Sequence, residues 1–472
     1  MTPHNKNISS AWRCLAAAFL LGGIASCGGV GSGGSGMSAD NVADGTVNGF
    51  GSLIVDGAHY DDRNASVVSE VAPGSDVLTQ ARLGHRVSVQ LDAAGVASTV
   101  RVDETLTGPV ASIESASQFS MLGQTVRVNS TGTAGPITQF GGGYSQASDV
   151  RARDAVSVHG LLVRQGTSYV FQATRIDKLA AAPAYLRATG IVTNLGSTFT
   201  LGALTVDAGS ATLLPAGSTL ANGQVVTLLA LPASLQTPTH TTWRVAAAQL
   251  RVQSARDTSV YYRISGSISQ LNTQARTFTL GGVTVGYGAA SVSPAGTVLA
   301  DGLYAVVHAT ASGDGTLVAT SVTVRDAGSD TEAELSGNIS AYDASSQHFT
   351  VRGVRVDAGS ASLEGCPTGG LANDLYVKVE GRVSPTGVVA SSVHCEGEPA
   401  GATVQRQGVA SSVNPVARSF TLTTSSGPIT VQWSDRTYFE GTSVSDLPGR
   451  TVEVDGSFVN GVLVATKIQR ED

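Results

Sequence analysis

Few side chains in this sequence are of types that do chemistry, and their spacing decides which kinds stay open. The one tight run of potential ligands is His59-Tyr60-Asp61-Asp62, where an imidazole and two carboxylates could share a cation. His159, His308, Glu380 and Asp455 recur at one place in a repeated strand pattern. A position that accepts His, Glu or Asp is a solvated face, or else a shallow face for an ion or glycan. No HExxH, paired CxxC or EF-hand loop accompanies these residues, so no metal is assigned, and His59, Asp61 and Asp62 stay weak candidates. The formal G-x-G-x-x-G at Gly29, Gly31 and Gly34 has neither a strand before it nor a helix after it, and no cofactor is expected. Serines are abundant, yet no G-x-S-x-G elbow appears. An enzyme is the least favoured class, reachable only through a site built between repeated units.

The string V-D-A-G-S-A occurs at Val206 and again at Val356. Asp56, Asp207 and Asp357 are read as following the third strand of their units, a place held by Asn129, Gly286 and Gln432 elsewhere. Turn-forming residues interchange in that way and catalytic carboxylates do not, so the string is expected to mark a turn.

These residues depend on a repeated element for their placement. Phe278-Thr-Leu-Gly-Gly-Val-Thr-Val alternates apolar and polar residues about two glycines, the pattern of a two-residue β-hairpin. It recurs from Phe199 and Phe349, and more loosely from Phe119 and Phe420. Upstream of each lies a Gly-bearing strand. Downstream come an irregular segment, an L-x-x-G-x-x-V-x-V strand and a closing V-A-x-x-V strand. The anchoring glycines, at 45, 108, 190, 266, 337 and 408, are 63 to 82 residues apart. Insertions at 131–150 and 231–242 account for the longer intervals, and the first unit is compressed. Five short strands per unit leave sheet edges bare unless the sheet closes. The expectation is an all-β chain of six tandem small five-stranded OB-like β-barrel modules at 42–104, 105–181, 185–254, 260–328, 333–398 and 404–472.

The N-terminus reads as an address. Lys6 and Arg13 precede an apolar run from Cys14 to Ile24, too short to span a bilayer and suited to a signal peptide over 1–26. The run ends on Ile24-Ala25-Ser26-Cys27, which resembles the lipobox of bacterial lipoproteins. That resemblance implies lipidation of Cys27, cleavage before it and, with Gly28 following, an outer-membrane location. Residues 27–41 form a Gly/Ser tether. In an exported, oxidising compartment Cys366 and Cys395 are expected to pair as a disulfide. Net charge is −7, and no basic stripe exists to displace counterions, so nucleic acid is not an expected partner.

Taken together, the lipobox and the repeated hairpin units resemble an uncharacterised family of proteobacterial lipoproteins built from repeats of a small all-β domain of unknown function. The resemblance brings no activity. It implies a non-catalytic cell-envelope lipoprotein, held to the membrane at Cys27, that serves as a repeated scaffold for an unknown envelope or extracellular protein or glycan partner. The rival reading is a surface lipoprotein that binds a glycan or a metal ion.

Overall fold

The computed structural model describes residues 41–471, apart from 64, 93–94, 133–134, 167, 240–241, 253–256, 314, 326–330, 368–369, 374, 396–403, 425–426 and 460–461. The signal peptide, Cys27 and nearly all of the tether lie outside the described residues.

The hairpins form where alternation and turn chemistry agree. Leu280 pairs with Val283 across Gly281 and Gly282, whose φ angles are +58° and +85°. Two successive positive φ values make the primed turn that matches strand twist. Phe119, Phe199, Phe278, Phe349 and Phe420 in the strands entering these hairpins are all buried and seed the barrel cores.

In the fourth segment Tyr261–Asn272 pairs with Thr277–Leu280, which pairs with Val283–Gly286. That strand runs parallel to Leu317–Val324, which pairs with Tyr304–Ala311, and Tyr304–Ala311 closes on Tyr261–Asn272. In chain order the ring reads one-two-three-five-four-one, a closed OB-like barrel. The segments beginning at Leu106, Glu332 and Val404 close in the same order. From Leu186 the order persists with the fifth strand broken into Thr242–Ala246 and Gln249–Val252. From Val42 the third and fifth strands meet through the Ala97 N–H donating to the Asp61 carbonyl at 2.9 Å. A hairpin of Ser66–Ala72 and Ser75–Leu78 flanks that joint, so the first unit, though the shortest, carries an added strand in its link.

The barrels are not beads on a string: residues 39–472 form one compact unit. The strand Val42–Phe50 pairs in parallel with Tyr262–Ile264 near its start and with Glu334–Leu335 near its end. Backbone groups that would otherwise be open edges are satisfied by other barrels. Segments two and three share one apolar core, and segments one and five share another. The first segment also reaches the second through Arg175 to the Leu83 carbonyl (3.0 Å) and the third through Arg187 to the Glu70 carbonyl (2.7 Å). Asp62 pairs with Arg436 of the sixth. The first barrel is the hub that touches all the others.

Candidate functional site

His159, His308, Glu380 and Asp455 occupy one structural position, and it is a bulge. In each unit the fourth strand loses register with the fifth immediately after that residue. The extra fifth-strand residue is Thr320, Ser391 or Thr466 in the last three units, and its hydroxyl donates to the carbonyl of His308, Glu380 or Asp455 at 3.0–3.1 Å. Ser98 does the same to Gln90 in the first unit at 3.1 Å. The A-[ST] pair inside the V-A-x-x-V motif therefore writes a β-bulge. The uniformly solvated face expected from sequence does not exist. Glu380 is exposed and His308 half-buried, whereas His159 and Asp455 are buried against neighbouring elements.

Register also corrects the V-D reading. Val55 pairs with Ala58, so Asp56 and Gly57 are the hairpin turn itself, with φ of +46° and +77°. The true counterpart of Asp207 and Asp357 is Asp61, and in the second unit it is Arg127, not Asn129. Asp61, Asp207 and Asp357 each accept the backbone N–H two residues on, at 3.0–3.2 Å. These are Asx turns, as the substitution pattern implied. Val55-Asp56 imitates Val206-Asp207 and Val356-Asp357, whereas the true counterpart in the first unit reads Tyr60-Asp61, five residues on, and the second unit is offset by two.

The same correction explains the His59-Tyr60-Asp61-Asp62 run as the third strand and its turn. Tyr60 is in the core, and His59 Nδ1 lies 3.1 Å from the Ser52 hydroxyl. Asp61 is bound by Arg63, and Asp62 accepts the Leu53 N–H at 3.0 Å besides pairing with Arg436. Neighbours along one strand point to opposite faces, so this run does not converge on a cation. His59 and Glu380 do line one open cleft of about 910 Å³ between the first and fifth barrels, with Glu334 and Arg382. Cys366 and Cys395 are joined as a disulfide.

Sequence gave no hint of one cluster. His159 stacks against His85 with ring centroids 4.4 Å apart, and Asp177 lies 3.8 Å from His85 Nε2, all on the seam between the first and second barrels. The three could present atoms to a metal within 4.8 Å of one another. Their hydrogen bonds argue otherwise. His85 Nδ1 accepts the Arg82 N–H at 3.1 Å, so the neutral ring carries its proton on Nε2 and offers no lone pair there. Both Asp177 oxygens are held by Arg175, at 2.6 and 2.7 Å. His159 Nδ1 lies 2.9 Å from the Asp103 carbonyl and donates to it. Burial, with the adjacent ring of His85, holds His159 below the usual imidazole range. Burial lowers His85 as well, against the pull of Asp177. Burial alone would raise the Asp177 carboxyl, but its bond to His85 and the charge of Arg175 outweigh that and keep it ionised. The cluster is a neutral-histidine seam rather than a metal centre.

A second polar site is a cavity of about 440 Å³ where barrels one to four meet. Glu70 anchors one wall. Its oxygens take Arg187 (3.4 Å), Arg251 (3.3 Å), Gln249 (3.3 Å) and the Gly74 N–H (3.3 Å). Burial would raise this carboxyl, but those hydrogen bonds and charges win and hold it below the ordinary range. Arg101 is clamped by Asp76 with two 2.7 Å bonds, and Arg86 binds Thr46 and Ser265 at 3.1 Å each. Asp103 faces the cavity from between these arginines, and its carboxylate has no hydrogen-bond partner among the described residues. The side chain is exposed to the water of the cavity. Desolvation by the barrel walls around the cavity, with the charge of nearby Asp44, pushes its carboxyl up to about 7.

Fold and repeats define a protein of tandem, closed, OB-like β-barrels. A model of the domain of unknown function DUF5666 matches residues 107–177, 265–323, 336–394 and 407–469, more than half of the chain, and the protein belongs to that family. The segments from Val42 and Leu186 keep the strand order but lie outside those matches. No curated protein matches the chain. Among solved structures, drosophila Unr CSD456 aligns over 46% of this chain and 99% of its own, at 13% identity and a TM-score of 0.13, which is too low to carry an argument.

Proposed function

We propose that the protein is a non-catalytic scaffold of the cell envelope, anchored through lipid on Cys27, whose barrels act as one body toward an envelope or extracellular partner. The observation that supports this most is the hub: the first barrel, nearest the tether, bonds to every other one. Force or position set at the anchor then passes to the whole body, which a flexible string would not allow. The chemistry-bearing residues serve seams and turns. Asp56 binds Ser265 and Tyr304 of the fourth barrel, Asp62 binds Arg436, and the histidine cluster closes the seam of barrels one and two.

Fractionation with fatty-acid labelling tests the anchor. Cys27→Ser should lose both label and outer-membrane retention, and an unlabelled chain still held in that membrane would refute it. Crosslinking in the intact envelope tests the scaffold, which requires discrete adducts that disappear with Cys27→Ser. A small-ligand role is the second reading, favoured by the polar cavity between barrels one to four.

A further inference from the structure

We propose that the cavity at the junction of barrels one to four is a binding site for an uncharged, polyhydroxylated ligand of sugar size, with Asp103 as its central polar contact. The site requires neither the anchor nor a protein partner. Its volume of about 440 Å³ falls within the range of small-ligand pockets. It is formed by side chains from four barrels and exists only in the assembled body.

The lining selects the chemistry. An anion would seek the arginines, but Arg187 and Arg251 share Glu70, Arg101 is bound by Asp76, and Arg86, held by Thr46 and Ser265, shares the lining with the carboxylates of Asp44, Asp103 and Glu104. A cation would seek the carboxylates, but Arg86, Arg101 and Arg187 all act on Asp103 and oppose added positive charge there. Hydroxyl groups both donate and accept, so they can serve Asp103 and these guanidinium groups without importing net charge. Thr189 and Thr227, whose hydroxyls lie 2.9 Å apart, add a second donor–acceptor edge. Leu162, Val225 and Leu280 give an apolar wall for the C–H face of a sugar ring. Asp103 is what makes this a binding site rather than a packing defect. Its side chain is exposed to the cavity and has no hydrogen-bond partner among the described residues, so an acceptor stands ready for a ligand hydroxyl.

The test is calorimetric titration of the intact chain with glucose, galactose, N-acetylglucosamine, lactose and trehalose, alongside glucosamine and glucose 6-phosphate. The inference expects saturable binding of at least one neutral sugar, with the amine and phosphate derivatives weaker by about tenfold or more. Asp103→Leu should cut affinity by about tenfold or more, the worth of one charge-assisted hydrogen bond. Its melting temperature should not fall, since no protein partner is stranded. Should that variant misfold, Asp103→Asn serves in its place, with a smaller but measurable loss. No binding by any neutral sugar overturns the inference. So does tighter binding of a charged derivative, or full affinity in a folded Asp103→Leu protein.

Discussion

Asp56 and Asp207 follow valines in identical V-D pairs, and the structure assigns them very different worth. Asp56 is buried, and its carboxylate accepts the Thr46 N–H at 2.9 Å, the Tyr304 hydroxyl at 2.8 Å and the Ser265 hydroxyl. Its backbone carbonyl accepts Arg263 and Arg325 at 2.9 and 3.1 Å. Asp56→Ala removes the three carboxylate bonds. The Tyr304 hydroxyl can turn to Ser265 at 3.1 Å and the Ser265 hydroxyl to the Asp44 carbonyl at 3.4 Å, so both keep a weaker bond and the Thr46 N–H is left stranded. At roughly 1 to 3 kcal/mol for the stranded donor and about 1 kcal/mol for each of the two hydroxyls that exchange a charged acceptor for a neutral one, the loss is about 3 to 5 kcal/mol. Alanine at φ +46° adds about 1 kcal/mol. Asp56→Asn tolerates that backbone and keeps one acceptor, and should cost about 2 kcal/mol. Asp207→Ala loses one Asx bond at a half-exposed site, about 0.5 to 1 kcal/mol. Urea unfolding followed by tryptophan fluorescence measures all three. Losses for Asp56→Ala and Asp207→Ala within about 1 kcal/mol of each other would refute the assignment of Asp56 as the joint between barrels one and four.

Other outcomes are as specific. Asp103 binds protons more tightly folded than unfolded, so its contribution to stability falls as pH rises from its ordinary 3.8 through about 7. Taken at face value that displacement is worth about 4 kcal/mol, and water in the cavity reduces it to about 1 to 2 kcal/mol. Asp103→Asn should therefore stabilise the protein by that amount above neutrality, as read from denaturation midpoints across pH. His85 and His159 have the opposite sign. Both are held low by burial, so their stabilisation is present above about pH 6.5 and lost as pH falls below it, and His159→Gln should flatten that slope. Reducing Cys366–Cys395 opens a loop of sequence separation 29 and should cost about 3 to 4 kcal/mol, confined in hydrogen exchange to the fifth barrel. A Cβ on Gly49 would lie 2.5 Å from the Glu334 carbonyl oxygen, so Gly49→Ala should break the parallel pairing with the fifth barrel and lower the melting temperature.

What could be read from sequence was local. The Phe-bearing hairpins, the barrel closure and the Cys366–Cys395 pairing follow from alternation, turn glycines and cysteine count, all within one unit. The V-A-x-x-V motif was visible as a strand, but its Ser or Thr was not recognised as the bulge residue because the acceptor is a carbonyl in another strand. Asp56 was misplaced because the first unit carries Leu53 where other hairpins carry Phe. The seams were illegible for a different reason. Arg187 meets Glu70 across 117 residues and Tyr304 meets Asp56 across 248, and neither contact leaves a periodicity. His85 and Asp177 stand in ordinary strand patterns, and only packing of one barrel on another joins them to His159.

Hydrogen exchange of the amides in Val42–Phe50 in the intact chain tests the fused body most directly. This strand pairs with its own barrel and, at its two ends, with Tyr262–Ile264 and Glu334–Leu335. Amides held by those pairings should exchange with the slowest, globally unfolding class, and should lose protection in the Asp56→Ala and Gly49→Ala proteins. Exchange in the fast class typical of an open strand edge, unchanged by those substitutions, would mean that the barrels are independent beads and that the hub does not exist.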